Sequence, residues 1–210
     1  MTQATPAPKR RRRSDADRSV AAILAAALEA LADDPDASMA EIARRAGVVR
    51  ATIYVHLPTR ESLLDAVMED AVGQVAQATA SAEPDRGEPL EALERVLLAT
   101  WRKLGQFHTL LAINTARLSP KELHRRHQPV MTLWVPLIER GRKEGVFRTD
   151  VPATWQIAII RTLVHTASHE LQAGRLSEEE VESVMLSTVV AAISAGGARE
   201  LQAGPVIRPR

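Results

Sequence analysis

Residues 38–57, Ser-Met-Ala-Glu-Ile-Ala-Arg-Arg-Ala-Gly-Val-Val-Arg-Ala-Thr-Ile-Tyr-Val-His-Leu, constrain the fold of this chain more than any other stretch. Ser38 with Glu41 three residues on has the form of a capping box, which supplies partners for the orphan amides that start a helix. Ile42, Ala43 and Ala46 then give a short helix a small apolar inner face. Gly47 allows the positive φ with which the chain leaves that helix and turns sharply. A second short helix follows, with Val48 and Ile53 inward and Arg50, Thr52, Tyr54 and His56 turned outward. Ala43 is small enough for the two helices to cross closely. The pattern predicts a helix-turn-helix whose second member is free to enter a DNA major groove.

Residues 18–68 resemble the N-terminal domain of TetR-type transcriptional regulators. The resemblance is carried by residues 19–28 (Ser-Val-Ala-Ala-Ile-Leu-Ala-Ala-Ala-Leu), 39–48 (Met-Ala-Glu-Ile-Ala-Arg-Arg-Ala-Gly-Val) and 51–64 (Ala-Thr-Ile-Tyr-Val-His-Leu-Pro-Thr-Arg-Glu-Ser-Leu-Leu). The last of these follows the family block T-L-Y-x-H-F-x-x-K-E-x-L, with departures. Val49 stands where a capping Ser or Thr is usual, Leu57 replaces Phe, Arg60 replaces Lys, and Val55 occupies a frequently polar position. Asp33-Asp34-Pro35-Asp36 replaces the usual Gly-aromatic step. These departures bear on base preference and leave the fold expectation intact. The resemblance implies an all-α protein: a three-helix DNA-binding domain followed by a helical ligand-binding and dimerisation domain.

Composition agrees with helices. The chain has 210 residues, 45% hydrophobic and only 3% aromatic, with no alternating Val/Thr/aromatic run of the kind that marks strands. It has no cysteine, which excludes disulfides, thiolate metal sites and cysteine nucleophiles and fits a cytoplasmic setting. Net charge is +1, unevenly distributed: residues 1–60 carry ten Lys/Arg against seven Asp/Glu. Lys9 and Arg10 to Arg13 form a basic cluster suited to phosphates or a minor groove, on an arm expected to be disordered without DNA. Basic residues before the apolar stretch 20–28 imitate a secretion signal, but Val20, Ile23, Leu24, Ala27, Leu28 and Leu31 repeat at helical spacing, as a packed helix requires. No apolar run approaches the roughly 18–20 residues of a membrane span, so no membrane partner is expected.

Four segments are expected: a disordered basic arm (1–14), a helix-turn-helix domain (15–60), a helical ligand-binding and dimerisation domain (61–200) and a loose tail (201–210). The first helix should start near Asp17 and end at the acidic loop containing Pro35. Thr59 should cap a long helix from Arg60 to about Ser81, and residues 83–88 read as a linker. Pro89 fits a first-turn position. Further helical pieces are expected at 109–118, at 129–144 after a short helix capped by Ser119, at 155–172, and at 181–195 capped by Ser177 and Glu180. Residues 145–152 read as an irregular connector.

Among these positions, Arg50 suits a guanine edge or a phosphate, and Thr52 a phosphate or a thymine methyl. The resemblance implies that Tyr54, His56 and Arg60 hold the DNA backbone, while Ser38 would add a phosphate contact at its helix N-terminus. Trp101, His108, Asn114, Arg117, Met131 and Trp134 would suit a cavity accepting a small, partly apolar effector. Trp155, Ile159 and Leu163, with Val181, Val184, Met185 and Thr188, are expected to build a four-helix homodimer seam. His165 and His169 lack the intervening glutamate of a zincin helix, and no glycine-rich phosphate loop or nucleophile motif is found, so no metal, cofactor or catalytic set is assigned. The reading is a double-stranded-DNA-binding regulator, most simply a repressor released by a small ligand. The competing classes are a ligand-binding helical protein without DNA binding and, more remotely, a helical enzyme.

Overall fold

The computed structural model describes residues 8–197, with side-chain surroundings given for Ala16 and from Arg18 onward. The helices are α1 (Pro8–Asp33), α2 (Met39–Arg45), α3 (Arg50–His56), α4 (Arg60–Ser81), α5 (Pro89–Leu104), α6 (His108–Arg117), α7 (Pro120–Lys143), α8 (Ala153–Gln172) and α9 (Glu178–Ile193). Single 3₁₀ turns occupy Gly105–Phe107 and Ala195–Gly197. Among the described residues there is no strand, only an isolated antiparallel bridge between Phe147 and Ser194. The all-α expectation holds.

Local signals in the sequence govern most helix boundaries. Thr59 and Ser62 cap α4 reciprocally, each backbone N–H meeting the other's hydroxyl at 3.0 Å. Ser177 and Glu180 form a complete capping box at α9, with Ser177 N to Glu180 Oε2 at 2.8 Å. Ser119 Oγ accepts from the Glu122 amide at 3.2 Å. Pro89 sits in the first turn of α5 as expected.

Two boundaries depart from the pattern. The first helix begins at Pro8, ahead of Asp17, and takes the basic cluster 9–13 into its opening turns. The arm expected to be disordered is therefore helical from residue 8; residues 1–7 lie outside the described residues, as does the expected tail 201–210. The second departure is α7, which continues through Pro129 and Pro136 where a break before 129 was expected. Each proline removes one ladder hydrogen bond but does not end the helix. The Thr132 hydroxyl donates to the carbonyls of Gln128 and Pro129 at 3.1 and 3.2 Å in this stretch.

The chain forms two compact units. The first comprises residues up to 74 with 106–127; the second comprises 75–105 with 128 onward. The division therefore falls within α4 and not after residue 60, and 106–127 cluster with the N-terminal helices. In the first unit α1 packs on α2, α3 and α6. Its core includes Ile23, Ala27, Leu31, Ile42, Ala43, Ile53, Leu57, Leu63 and Val67. The helical stripe expected along α1 is recovered, with Ile23, Ala27 and Leu31 fully inside and Val20, Leu24 and Leu28 half-buried at its edges.

In the second unit α9 packs on α8 and α5. Its core includes Leu93, Val96, Leu97, Trp101, Trp134, Ile138, Phe147, Ile160, Val164, Val181, Met185, Val189 and Ile193. The connector 145–152 is more ordered than its composition suggests. Arg148 N donates to the Ile193 carbonyl at 2.8 Å, and Ala195 N to the Val146 carbonyl at 3.0 Å. The Arg142 guanidinium donates to the carbonyls of Arg148 (2.9 Å) and Val151 (2.6 Å) and to Gln156 Oε1 (3.2 Å). Gln156 is fully buried and returns a hydrogen bond to the Arg148 carbonyl at 3.0 Å.

Candidate nucleic-acid interface

The turn between α2 and α3 follows the chemistry of Gly47. Its φ is +66°, the left-handed region in which glycine lacks the usual steric cost. Gly47 N bonds to the Arg44 carbonyl at 3.2 Å and Val48 N to the Ala43 carbonyl at 3.1 Å, closing the end of α2. Ser38 is the N-cap of α2, and its hydroxyl accepts from the Glu41 amide at 3.2 Å. The second half of the expected capping box is not made. The Glu41 carboxylate turns instead to Arg44, at 2.8 and 2.6 Å, and to Arg45 at 2.8 Å. Arg45 also reaches Asp33 at 2.6 Å, tying α2 to the end of α1. Hydrogen bonds from Arg44 first, then Arg45, hold the Glu41 carboxyl at about 2.

The second helix of the motif is anchored through Ile53, which is fully buried. Val49 occupies the N-cap of α3 and offers no side-chain cap. Arg50 and Tyr54 form a unit on the outer surface: Arg50 Nη2 donates to the Tyr54 hydroxyl at 3.3 Å, and its guanidinium carbon lies 5.5 Å from the ring centroid. Arg50 and Tyr54 are exposed, while Thr52 and His56 lie half-buried on the other flank. Leu57 fills the buried position behind the helix.

Arg60 is placed differently from the expected phosphate contact. Its guanidinium donates to the main-chain carbonyls of Ala37 and, at 2.6 Å, Pro35. Both acceptors lie in the loop between α1 and α2, so the side chain clasps the segment that carries Ser38. A guanidinium fork can span two carbonyls where a single ammonium cannot, which gives the Arg-for-Lys departure a structural meaning.

The cavity candidates separate between the units. His108, Asn114 and Arg117 belong to the first, and Trp101, Met131 and Trp134 to the second. Within the first unit, Asn114 is buried, donates to the Leu110 carbonyl at 2.9 Å and accepts from Arg117 at 2.8 Å. Arg117 also pairs with Asp65 at 2.7 Å, and Arg126 joins Asp65 at 3.0 Å and Glu122 at 2.7 Å. Burial pushes the Asp65 carboxyl up, but hydrogen bonds from Arg117 and Arg126 outweigh it and hold it below the usual range. Asn114 and Arg117 Nη2 are thus engaged in a network joining α4, α6 and α7, whereas Arg117 Nε is buried with no hydrogen-bond partner, and His108 is exposed. In the second unit Trp101 and Trp134 are buried and Met131 half-buried. The Trp134 indole Nε1 is buried with no hydrogen-bond partner.

The expected seam residues also divide. Trp155 (58%) and Val184 (51%) are exposed with Thr188, and Ile159 and Leu163 are half-buried. Val181 and Met185 are instead packed within the subunit's own core. On α9, Val181, Met185 and Val189 follow one another at four-residue spacing along the inner face, leaving Val184 and Thr188 outward. Sequence spacing identified both rows as apolar without telling which row faced inward.

A cap-and-glycine turn carrying an exposed short helix on a buried isoleucine defines a helix-turn-helix protein of the kind that binds duplex DNA. Residues 23–67 match the family described as "Bacterial regulatory proteins, tetR family". Across those residues the chain is similar to the TetR family of transcriptional regulators. It is 29% identical over 148 residues to the HTH-type transcriptional regulator NfxB of Pseudomonas aeruginosa, covering 70% of this chain and 79% of that protein. It is 27% identical over 171 residues to the HTH-type transcriptional repressor LfrR of Mycolicibacterium smegmatis, covering 81% and 88%. The solved structure of LfrR from Mycobacterium smegmatis in complex with proflavine superposes with a TM-score of 0.68 at 23% identity, covering 88% of this chain and 98% of that one. FadR from Bacillus subtilis in complex with stearoyl-CoA gives a TM-score of 0.68 at 20% identity, covering 85% and 98%.

Proposed function

We propose that this chain is a DNA-binding transcriptional repressor that leaves a pseudo-palindromic operator when a small molecule binds its helical body. The observation that carries the reading is α3: a short helix fixed by buried Ile53, with Arg50 and Tyr54 exposed on one flank and Thr52 and His56 half-buried on the other. The named repressor activity of LfrR supports the direction of control. Arg50 engages a guanine edge or a phosphate, and Tyr54, Thr52 and His56 lie beside it for the backbone. Ser38 and Arg60 shape the motif from within and are support residues.

A homodimer completes the reading. Trp155, Ile159, Leu163, Val184 and Thr188 form the outward apolar row that a second copy covers, and a two-fold pair presents two α3 helices to successive major grooves. Effector binding belongs to the second unit, where the buried Trp134 N–H is a donor that an acceptor atom on the effector would satisfy. The proflavine and stearoyl-CoA bound by LfrR and FadR differ so much in chemistry that neither identifies the effector here. Because α4 contributes residues to both units, it is the element through which effector binding acts on α3.

Selection of duplexes from a random pool, followed by titration over a range of salt, tests the reading. A palindromic consensus bound with a steep salt dependence is expected, and no duplex binding even at low salt overturns it. A library screened by thermal shift, with each stabilising compound carried into the DNA titration, tests control. Compounds that stabilise the protein yet leave DNA affinity unchanged would overturn the effector half alone.

A further inference from the structure

The projecting surface of α3 is apolar. Residues two positions before and after Ile53 lie about 200° from it around a helix, so Ala51 and Val55 point nearly opposite the buried anchor. Both are exposed, Val55 at 78%, and Val49 at the N-cap is exposed at 72%. These two valines are more exposed than the other large hydrophobics found at the surface, Tyr54, Val135, Trp155 and Val184. Isolated surface valines are ordinary, but Val55 beside Ala51 on the crest of a two-turn helix, with a second exposed valine at its N-cap, is not. They are flanked by basic groups: residues 38–57 hold three arginines against one glutamate, and Arg44 and Arg50 are exposed.

A crest of this kind offers no hydrogen bond to a base edge. In the major groove the one apolar feature of a base edge is the C5-methyl of thymine, since guanine, cytosine and adenine present donors and acceptors. Resting on the DNA-binding reading above, we propose that Val55, aided by Val49 and Ala51, determines specificity by packing on thymine methyls. Each operator half-site then carries thymine beneath Val55, beside the base or phosphate engaged by Arg50. Thr52 lies half-buried on the flank and Arg50 is held against Tyr54, so neither occupies the crest. The positive charge on either side draws the duplex in without reading it, and the valines supply the selection.

The test uses the full chain and the duplex recovered from the random pool. Each thymine of one half-site is replaced in turn by deoxyuridine, which removes only the C5-methyl. At one or two positions the affinity of the unmodified protein should fall roughly three- to fivefold, the effect of exposing one methyl-sized apolar group. Val55→Ala removes only exposed atoms and is compatible with helix, so it should fold normally. It should bind the thymine duplex less tightly by a similar factor and lose its sensitivity to deoxyuridine at those positions. Equal binding of thymine and deoxyuridine duplexes by the unmodified protein overturns the inference, and so does undiminished methyl sensitivity in Val55→Ala. Failure to recover any duplex overturns the DNA-binding reading itself, a result distinguishable from indifference to the methyl.

Discussion

Replacing Arg60 with alanine separates two roles that a basic residue next to a recognition helix can play. In the structure the guanidinium donates to the carbonyls of Ala37 and Pro35, and the side chain is half-buried. A hydrogen bond from a charged donor contributes about 1.5–3 kcal/mol when its acceptor is left without a substitute. The Pro35 carbonyl belongs to an exposed residue and regains water, whereas Ala37 is only 4% exposed and its carbonyl is poorly placed to do so. One strong contact and one mostly compensated contact give a loss of about 2 kcal/mol. For a chain of this size that corresponds to a fall in Tm of roughly 4–8 °C. Arg60→Lys should fall between, because one ammonium cannot satisfy both carbonyls. Thermal unfolding followed by circular dichroism gives the stability, and duplex titration over a range of salt gives the number of phosphate contacts. The clasp predicts a lower Tm with an unchanged salt slope. A phosphate contact predicts an unchanged Tm and a slope smaller by about 0.9. The second outcome would refute the role read from the structure.

Other perturbations discriminate elsewhere in the molecule. A Cβ added at Gly141 would lie 2.1 Å from the Phe147 ring, which is fully buried, so Gly141→Ala should destabilise by about 3 kcal/mol and lower the urea midpoint. Val184→Asp and Trp155→Glu should yield folded monomers in sedimentation, whereas Val181→Asp, which buries a charge inside the subunit, should lose helical circular dichroism. Monomers from Val181→Asp with full helicity would contradict the inner placement of that residue. Glu41 and Glu122 are held at about 2 by their arginine partners, against an ordinary 4.5. Their stabilisation is complete above about 4.5 and disappears as pH falls through about 2, so urea midpoints should decline across that interval. Glu41→Gln should flatten part of the decline and leave stability near neutral pH less dependent on acidification.

The helix-turn-helix was legible because its determinants are local. Ser38, Gly47 and Ile53 act over one or two turns, and a cap, a positive φ and a helical period each demand particular residue types. The same is true of Thr59, Ser119 and the Ser177–Glu180 box. What stayed hidden depends on partners with no side-chain signature or at long range. Arg60 meets carbonyls 23 and 25 residues earlier, and any residue can supply a carbonyl. Arg117 finds Asp65 across 52 residues, a pairing that no local pattern announces. The two apolar rows of α9 look alike in one dimension, and packing against α8 and α5 decided that Val181 and Met185 face inward while Val184 faces out. Local chemistry therefore determined which segments are helices and how the DNA-reading turn is built. Tertiary contacts alone decided which side chains remain free to meet a partner, because burial is set by neighbours that the order of residues does not name.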